Sequence, residues 1–242
     1  MENLAAVLAG ATTVSYRGCQ SPTITTPPTP PTIPPTKPGH PGASPRPWEA
    51  LARCQFGSAG CTLTIIGPQR ADGRWDALTA SHCVTGIGQT GRVWLKDGRV
   101  VPITVSALDR KADYCWVTVE TVADDIPYAL LADALPVAGD KVYHGGFGVH
   151  IPGDRVSGTV SVPDNGSGQT QYRIEVSSGD SGGGIALTES GRILSPVCCT
   201  TKPGGIGDVW GATVTACRQG RPGRTIAAEQ WTPIDIPVRM PE

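Results

Sequence analysis

The sequence predicts an all-β fold, and three observations carry that reading. Short β-rich runs recur at Cys61 to Ile66, Val100 to Leu108, Tyr114 to Thr121, Gln171 to Val176 and Ile193 to Thr200. Turn dipeptides separate several of them: Asp72-Gly73, Asp97-Gly98, Pro152-Gly153 and Asn165-Gly166. Amphipathic helical periodicity is scarce along the whole chain. Alternating or continuously apolar short runs between turn signals are the pattern of β-strands rather than helices. The 242 residues hold one domain of this kind plus an extension, because all-β folds often run this long as one unit.

The organisation follows in chain order. Residues 1–20 contain the apolar run Leu4-Ala5-Ala6-Val7-Leu8-Ala9-Gly10-Ala11. It reads as a secretion signal or as a small anchoring segment, although Glu2 stands where a signal carries positive charge. Residues 21–47 are a proline-threonine linker, with eleven of the 23 prolines between Pro22 and Pro47. Such a stretch favours extended polyproline II, buries no core and serves as a semi-rigid spacer open to O-glycosylation. The β-rich domain occupies 48–218, and 219–242 form a tail rich in Arg, Pro and Gly. A formal net charge of −1 without a long basic block argues against nucleic acid as a partner. No apolar run approaches the ~20 residues that a membrane-spanning helix needs.

The chemistry concentrates in Gly179-Asp180-Ser181-Gly182-Gly183-Gly184. Glycines on both sides let the backbone turn sharply and keep side chains off an approaching substrate. On such a turn the amides of Gly179 and Ser181 point at one spot, where a carbonyl oxygen would become an oxyanion. A serine nucleophile needs a base, and imidazole, with a pKa of roughly 6.5, suits neutral pH. The imidazole needs a buried carboxylate to fix its tautomer. His82, in Leu78-Thr79-Ala80-Ser81-His82-Cys83, and Asp113, in Ala112-Asp113-Tyr114-Cys115-Trp116-Val117, supply both in the order His, Asp, Ser. Asp109, Asp124 and Asp125 are alternative carboxylates; Asp113 is preferred because it heads a strand and is followed by apolar residues. His40, His144 and His150 read as structural or solvated.

From about Arg53 to Arg218 the chain resembles the chymotrypsin-type (trypsin-like) serine proteases. Thr79-Ala80-Ser81-His82-Cys83 is similar to the family's T-A-A-H-C, with Ser81 in place of the second alanine. Gly179 to Gly183 matches G-D-S-G-G, and Val142-Tyr143-His144-Gly145-Gly146-Phe147-Gly148 is similar to a glycine-aromatic-glycine stretch early in the second barrel. The resemblance implies two antiparallel β-barrels of the chymotrypsin type with catalytic His82, Asp113 and Ser181 between them. It gives Asp180 the part of organiser of the oxyanion loop. The family's Ile-Val-Gly-Gly start is missing before the first barrel, so competence without a freshly cut N-terminus is expected.

Eight cysteines point toward an oxidising compartment, and hence toward a secreted or extracellular protein. The resemblance implies a Cys61–Cys83 disulfide beside His82, and a loop of that length typically contributes about 3 kcal/mol. Cys19, Cys54, Cys115, Cys198, Cys199 and Cys217 do not match the family's other common bridges. Adjacent Cys198 and Cys199 are not expected to pair with each other, and Cys115 also suits a free buried thiol. No pair of cysteines with the two-residue spacing of zinc sites exists, and the chemistry calls for no cofactor.

For specificity, the resemblance places Glu175 or Asp208 near the floor of the primary pocket, where a carboxylate favours an Arg or Lys side chain. Cys198, Cys199 and Thr200 fall on the segment that pairs with substrate backbone. Thr200 stands where the family often has glycine, which narrows that pocket and argues the other way. The expected activity is serine endopeptidase action on a protein or peptide substrate. A dedicated self-processing or assembly protease, viral or cell-surface, and a non-catalytic binding module on the same fold are the other readings.

Overall fold

The computed structural model describes residues 47–148 and 155–222. The N-terminal apolar run, the proline-threonine linker through residue 46, Cys19, His40, His150, the Pro152-Gly153 turn and the tail past residue 222 lie outside the described residues.

The first half is a closed six-stranded barrel in the order β1-β2-β3-β6-β5-β4, with β4 returning onto β1. Its strands are β1 (Leu51–Phe56), β2 (Ala59–Ile66), β3 (Trp75–Thr79), β4 (Thr90–Trp94), β5 (Val100–Asp109) and β6 (Tyr114–Val119). Period-two alternation sets the inward face: Ala52, Cys54 and Phe56 on β1 are buried, as are Val101, Ile103 and Val105 on β5. Strands β3 and β6 are buried at every position, because both of their faces are covered. Cys115, Val117 and Val119 fill the barrel, while Tyr114 and Trp116 on the opposite face join the second core.

The second half is a seven-stranded sheet in the order β11-β10-β7-β8-β9-β13-β12. It is built from β7 (Lys141–Gly145), β8 (Arg155–Val162), β9 (Gln169–Val176), β10 (Gly184–Leu187), β11 (Ile193–Pro196), β12 (Cys199–Thr200) and β13 (Gly205–Ala212). Its edge strands β11 and β12 are joined by Val197 and Cys198 alone, so the sheet must curl to bring its two edges together. This matches the expected two-barrel fold, with the second barrel a curled sheet.

The sequence predicts one strand over Ile193 to Thr200; the structure breaks it. Val197 turns its backbone away from the ladder, donating to the Gly183 carbonyl (2.8 Å) and accepting from the Gly182 amide (2.8 Å). The strand is interrupted because it is tied to the serine loop. One helix, α1 (Val214–Gln219), follows β13 and is capped by Thr213, whose hydroxyl accepts from the Ala216 amide (3.2 Å). Among the described residues no helix is long and apolar enough to cross a membrane.

Candidate active site

His82 sits in a short 3₁₀ turn, Ser81–Cys83, directly after β3. Arg110 braces that turn, donating to the Ser81 carbonyl and to the Val84 carbonyl (2.8 Å). Asp113 lies in the β5–β6 connection with φ of 59°, a left-handed conformation that costs a non-glycine residue energy. Asp109 shapes that connection, its Oδ1 accepting from the amides of Lys111 (2.8 Å) and Ala112 (3.0 Å). Asp109 is thereby a turn former, and Asp125 pairs with Arg99 (3.0 Å).

The three side chains meet between the two halves. His82 Nε2 is 2.9 Å from Ser181 Oγ, and His82 Nδ1 is 2.7 Å from Asp113 Oδ2. The His82 amide donates to Asp113 Oδ1 at 2.9 Å. Burial pushes the Asp113 carboxyl up, but hydrogen bonds from His82 and Ser81, with the His82 charge, hold it well below the usual carboxylate range. The hydrogen bond to Asp113 raises the His82 pKa above the ordinary imidazole value, against the opposing effect of burial.

Sequence reasoning does not single out Ser81 as a site residue. Its Oγ donates to Asp113 Oδ1 at 2.8 Å, and the residue is almost fully buried. The signal is present in the sequence, as the position where this chain departs from T-A-A-H-C.

The serine loop is held from several sides. Gly182 has φ of +85°, and a Cβ there would overlap Thr79 Oγ1, so only glycine fits. Thr62, buried on β2, reaches across from the first barrel: its amide donates to the Ser181 carbonyl (3.0 Å) and its hydroxyl to the Gly179 carbonyl (2.8 Å). Asp180 accepts from the amides of Gly148 (2.7 Å) and Ser177 (2.7 Å), with His144 Nε2 at 3.5 Å. Burial raises the Asp180 pKa, and these partners outweigh it and lower the pKa below its ordinary value. Among the described residues the amides of Gly179 and Ser181 have no hydrogen-bond acceptor. A cleft of about 350 Å³ adjoins them, lined by residues that include Arg53, Gly60, Cys61, Phe147, Gly148 and Gly179.

The specificity residues fall outside that cleft. Glu175 on β9 stands opposite Ile206, and Asp208 on β13 stands opposite Arg173, with Asp208 Oδ1 4.0 Å from the Arg173 guanidinium. All four lie on the sheet face away from buried Tyr172, Ile174 and Val176. Cys199 and Thr200 form β12 and pair with Trp210 and Val209.

The Cys61–Cys83 disulfide is not formed in this structure, where all seven described cysteines are free thiols. The hairpin register gives Cys61 a rival partner. Cys54 and Cys61 stand directly opposite each other on β1 and β2, with their sulfurs 3.6 Å apart. Among the described residues no three His, Cys, Asp or Glu side chains are grouped to hold a metal.

The trypsin-like peptidase domain model matches residues 61–194, more than half of the chain. No curated protein sequence matches this chain. Solved structures with the same fold include the inactive form of Rv3671c from M. tuberculosis H37Rv, as a serine-to-alanine variant, at 18% identity and a TM-score of 0.54. That match covers 72% of this chain and 85% of the other. The HtrA-type protease AlgW, solved with a tripeptide, is 18% identical with a TM-score of 0.60, covering 72% of this chain and 59% of that one. The serine endoprotease from Yersinia pestis gives 18% identity and a TM-score of 0.60, covering 72% and 62%. With the family's domain matched across both halves and its fold present, this chain belongs to the trypsin-like peptidases.

Proposed function

We propose that the chain is a serine endopeptidase with Ser181 as nucleophile, His82 as general base and Asp113 as orienting carboxylate. The observation that carries this is the unbroken line of hydrogen bonds, 2.9 Å from Ser181 Oγ to His82 and 2.7 Å from His82 to Asp113. His82 takes the Ser181 proton as Oγ attacks a peptide carbonyl. The unpartnered amides of Gly179 and Ser181 receive the oxyanion, a contribution typically worth about 3–4 kcal/mol per donor. His82 then protonates the leaving amine, and water releases the acyl-enzyme by the reverse sequence.

Both Asp180 carboxylate oxygens already accept backbone amides, Oδ1 from Gly148 and Oδ2 from Ser177, which supports competence without a new N-terminal amine. Glu175 and Asp208 share the outward face of the β9–β13 pair, and a preference for a basic substrate side chain rests on one of these two carboxylates. A fluorophosphonate probe tests the nucleophile: wild type labels and Ser181→Ala does not. Undiminished labelling of Ser181→Ala overturns the assignment. A peptide library varied at the residue before the cut, run with the same control, reads the pocket; indifference to Arg and Lys removes the basic preference.

A further inference from the structure

Two adjacent thiols stand where the interrupted strand passes the serine loop. Val197 is bonded in both directions to Gly182 and Gly183, and the next two residues are Cys198 and Cys199. Cys198 is buried and anchored by its amide to the Trp210 carbonyl (2.8 Å). Gln169 Nε2 approaches the Cys198 sulfur at 3.9 Å. Cys199 is exposed, and the Cys198 thiol donates to its sulfur across 3.0 Å. Cys199 is also close enough to His82 for a charge on either to favour the opposite charge on the other.

We propose that Cys198 and Cys199 form a dithiol modification site that reacts with small-molecule disulfides of the glutathione class and blocks the catalytic centre when oxidised. The effect on activity rests on the serine endopeptidase reading; the thiol chemistry stands apart from it. Cys199 reacts first because it alone of the pair is exposed and its sulfur accepts a hydrogen bond, which favours the thiolate. The Cys198 hydrogen bond lowers its pKa below the ordinary thiol value, burial and Asp113 push the other way, and His82 adds to the lowering. The Cys199 thiolate attacks one sulfur of the small disulfide, forming a mixed disulfide and expelling one small thiolate. The Cys198 thiol, losing its proton to solvent, then attacks the Cys199 sulfur, forms the Cys198–Cys199 bond and expels the second thiolate. Two protein thiols are oxidised and the small disulfide is reduced to two thiols, which take up the protons released.

Either product blocks the centre. The mixed disulfide places a tripeptide-sized group at the approach to His82. The closed pair twists the peptide between the two cysteines, drawing Cys199 off Trp210 beside the serine loop. A bond between successive residues is strained and so reopens readily under a reductant. The contact between the two sulfurs makes the second step intramolecular.

The test treats the reduced full chain with oxidised glutathione, then reads peptide mass maps and fluorophosphonate labelling. The expected result is modification mapped to Cys198 and Cys199, with labelling lost and then restored by dithiothreitol. Cys199→Ser, whatever its starting level, is expected to keep that level through the treatment. Modification confined to Cys61 or Cys83, no modification at all, or equal loss of labelling in Cys199→Ser overturns the proposal. Absence of labelling in the reduced wild type instead overturns the endopeptidase reading, and the mass map still decides the thiol site.

Discussion

Asp113 carries a strained φ and a partly buried charge, and donors balance both: the His82 amide, the His82 ring and the Ser81 hydroxyl. Removing Ser81's hydroxyl leaves Oδ1 one donor short, and a hydrogen bond to a charged group is worth about 1.5–3 kcal/mol. Ser81→Ala is therefore expected to slow peptide cleavage by about tenfold or more while the fold is kept, with Ser81→Thr recovering part of the loss. Equal rates for Ser81→Ala and wild type would remove Ser81 from the site. The pH profile has a defined sign. As the proposed base His82 must be neutral, and its pKa is raised by Asp113, so activity is expected to fall as pH drops through a midpoint above the ordinary imidazole value. Asp113→Asn removes that raising influence. It is expected to move the midpoint to lower pH and to cut the rate by about 10⁴-fold, as loss of the orienting carboxylate does in other serine proteases. Rates measured across pH on a peptide ester check both statements.

Among the elements, the glycine-aromatic-glycine stretch after β7 is a cradle for Asp180. A Cβ at Gly146 would overlap Asp180 Oδ1, and one at Gly148 would stand 2.5 Å from it. Both contacts are far inside van der Waals distance, so the Asp180 side chain and with it the serine loop must move. Gly148→Ala is expected to cost about 1–3 kcal/mol of stability and to weaken labelling of Ser181. Urea denaturation together with probe labelling measures the two effects, and an unshifted midpoint with full labelling contradicts the cradle. The neighbouring strand break has the same origin. Val197 engages Gly182 and Gly183 instead of a ladder partner, so β11 and β12 are two short strands rather than one.

Across the molecule as a whole, the chain just past α1 locks the two halves together. Arg221 is buried and pairs through Nε with Asp76 Oδ2 on β3 at 2.7 Å. It also donates to the carbonyls of Gly67 (3.2 Å), Ile66 (3.4 Å) and Pro68 (3.4 Å). Trp116 on β6 adds a second tie, its Nε1 donating to the Cys217 carbonyl at 2.9 Å. The packed chain thus continues past Arg218, where the sequence suggests a tail. Breaking a buried pair costs up to about 3–5 kcal/mol, and here Asp76 Oδ1 keeps Arg70 as a partner (3.4 Å) while Oδ2 loses its own. Arg221→Ala is expected to lose stability on that scale in urea denaturation, and a loss no larger than a surface substitution would show the pair to be dispensable.

The all-β class and the residues of the candidate site were legible in the chain because both leave local marks. Strands leave apolar runs between turn dipeptides, and a serine on a tight turn demands glycines around it. His82, Asp113 and Ser181 stand out for that reason. Other features depend on contacts between segments far apart in the chain. The hydroxyl of Ser81 gains its meaning when Asp113 arrives beside it, and Thr62 braces the serine loop because the first barrel abuts the second. The break at Val197, the pairing of Cys54 with Cys61 across a hairpin, and the Arg221–Asp76 lock are likewise set by register and by packing of two-faced strands. Local pattern reports what a segment can become; folding brings its distant partners within hydrogen-bond distance.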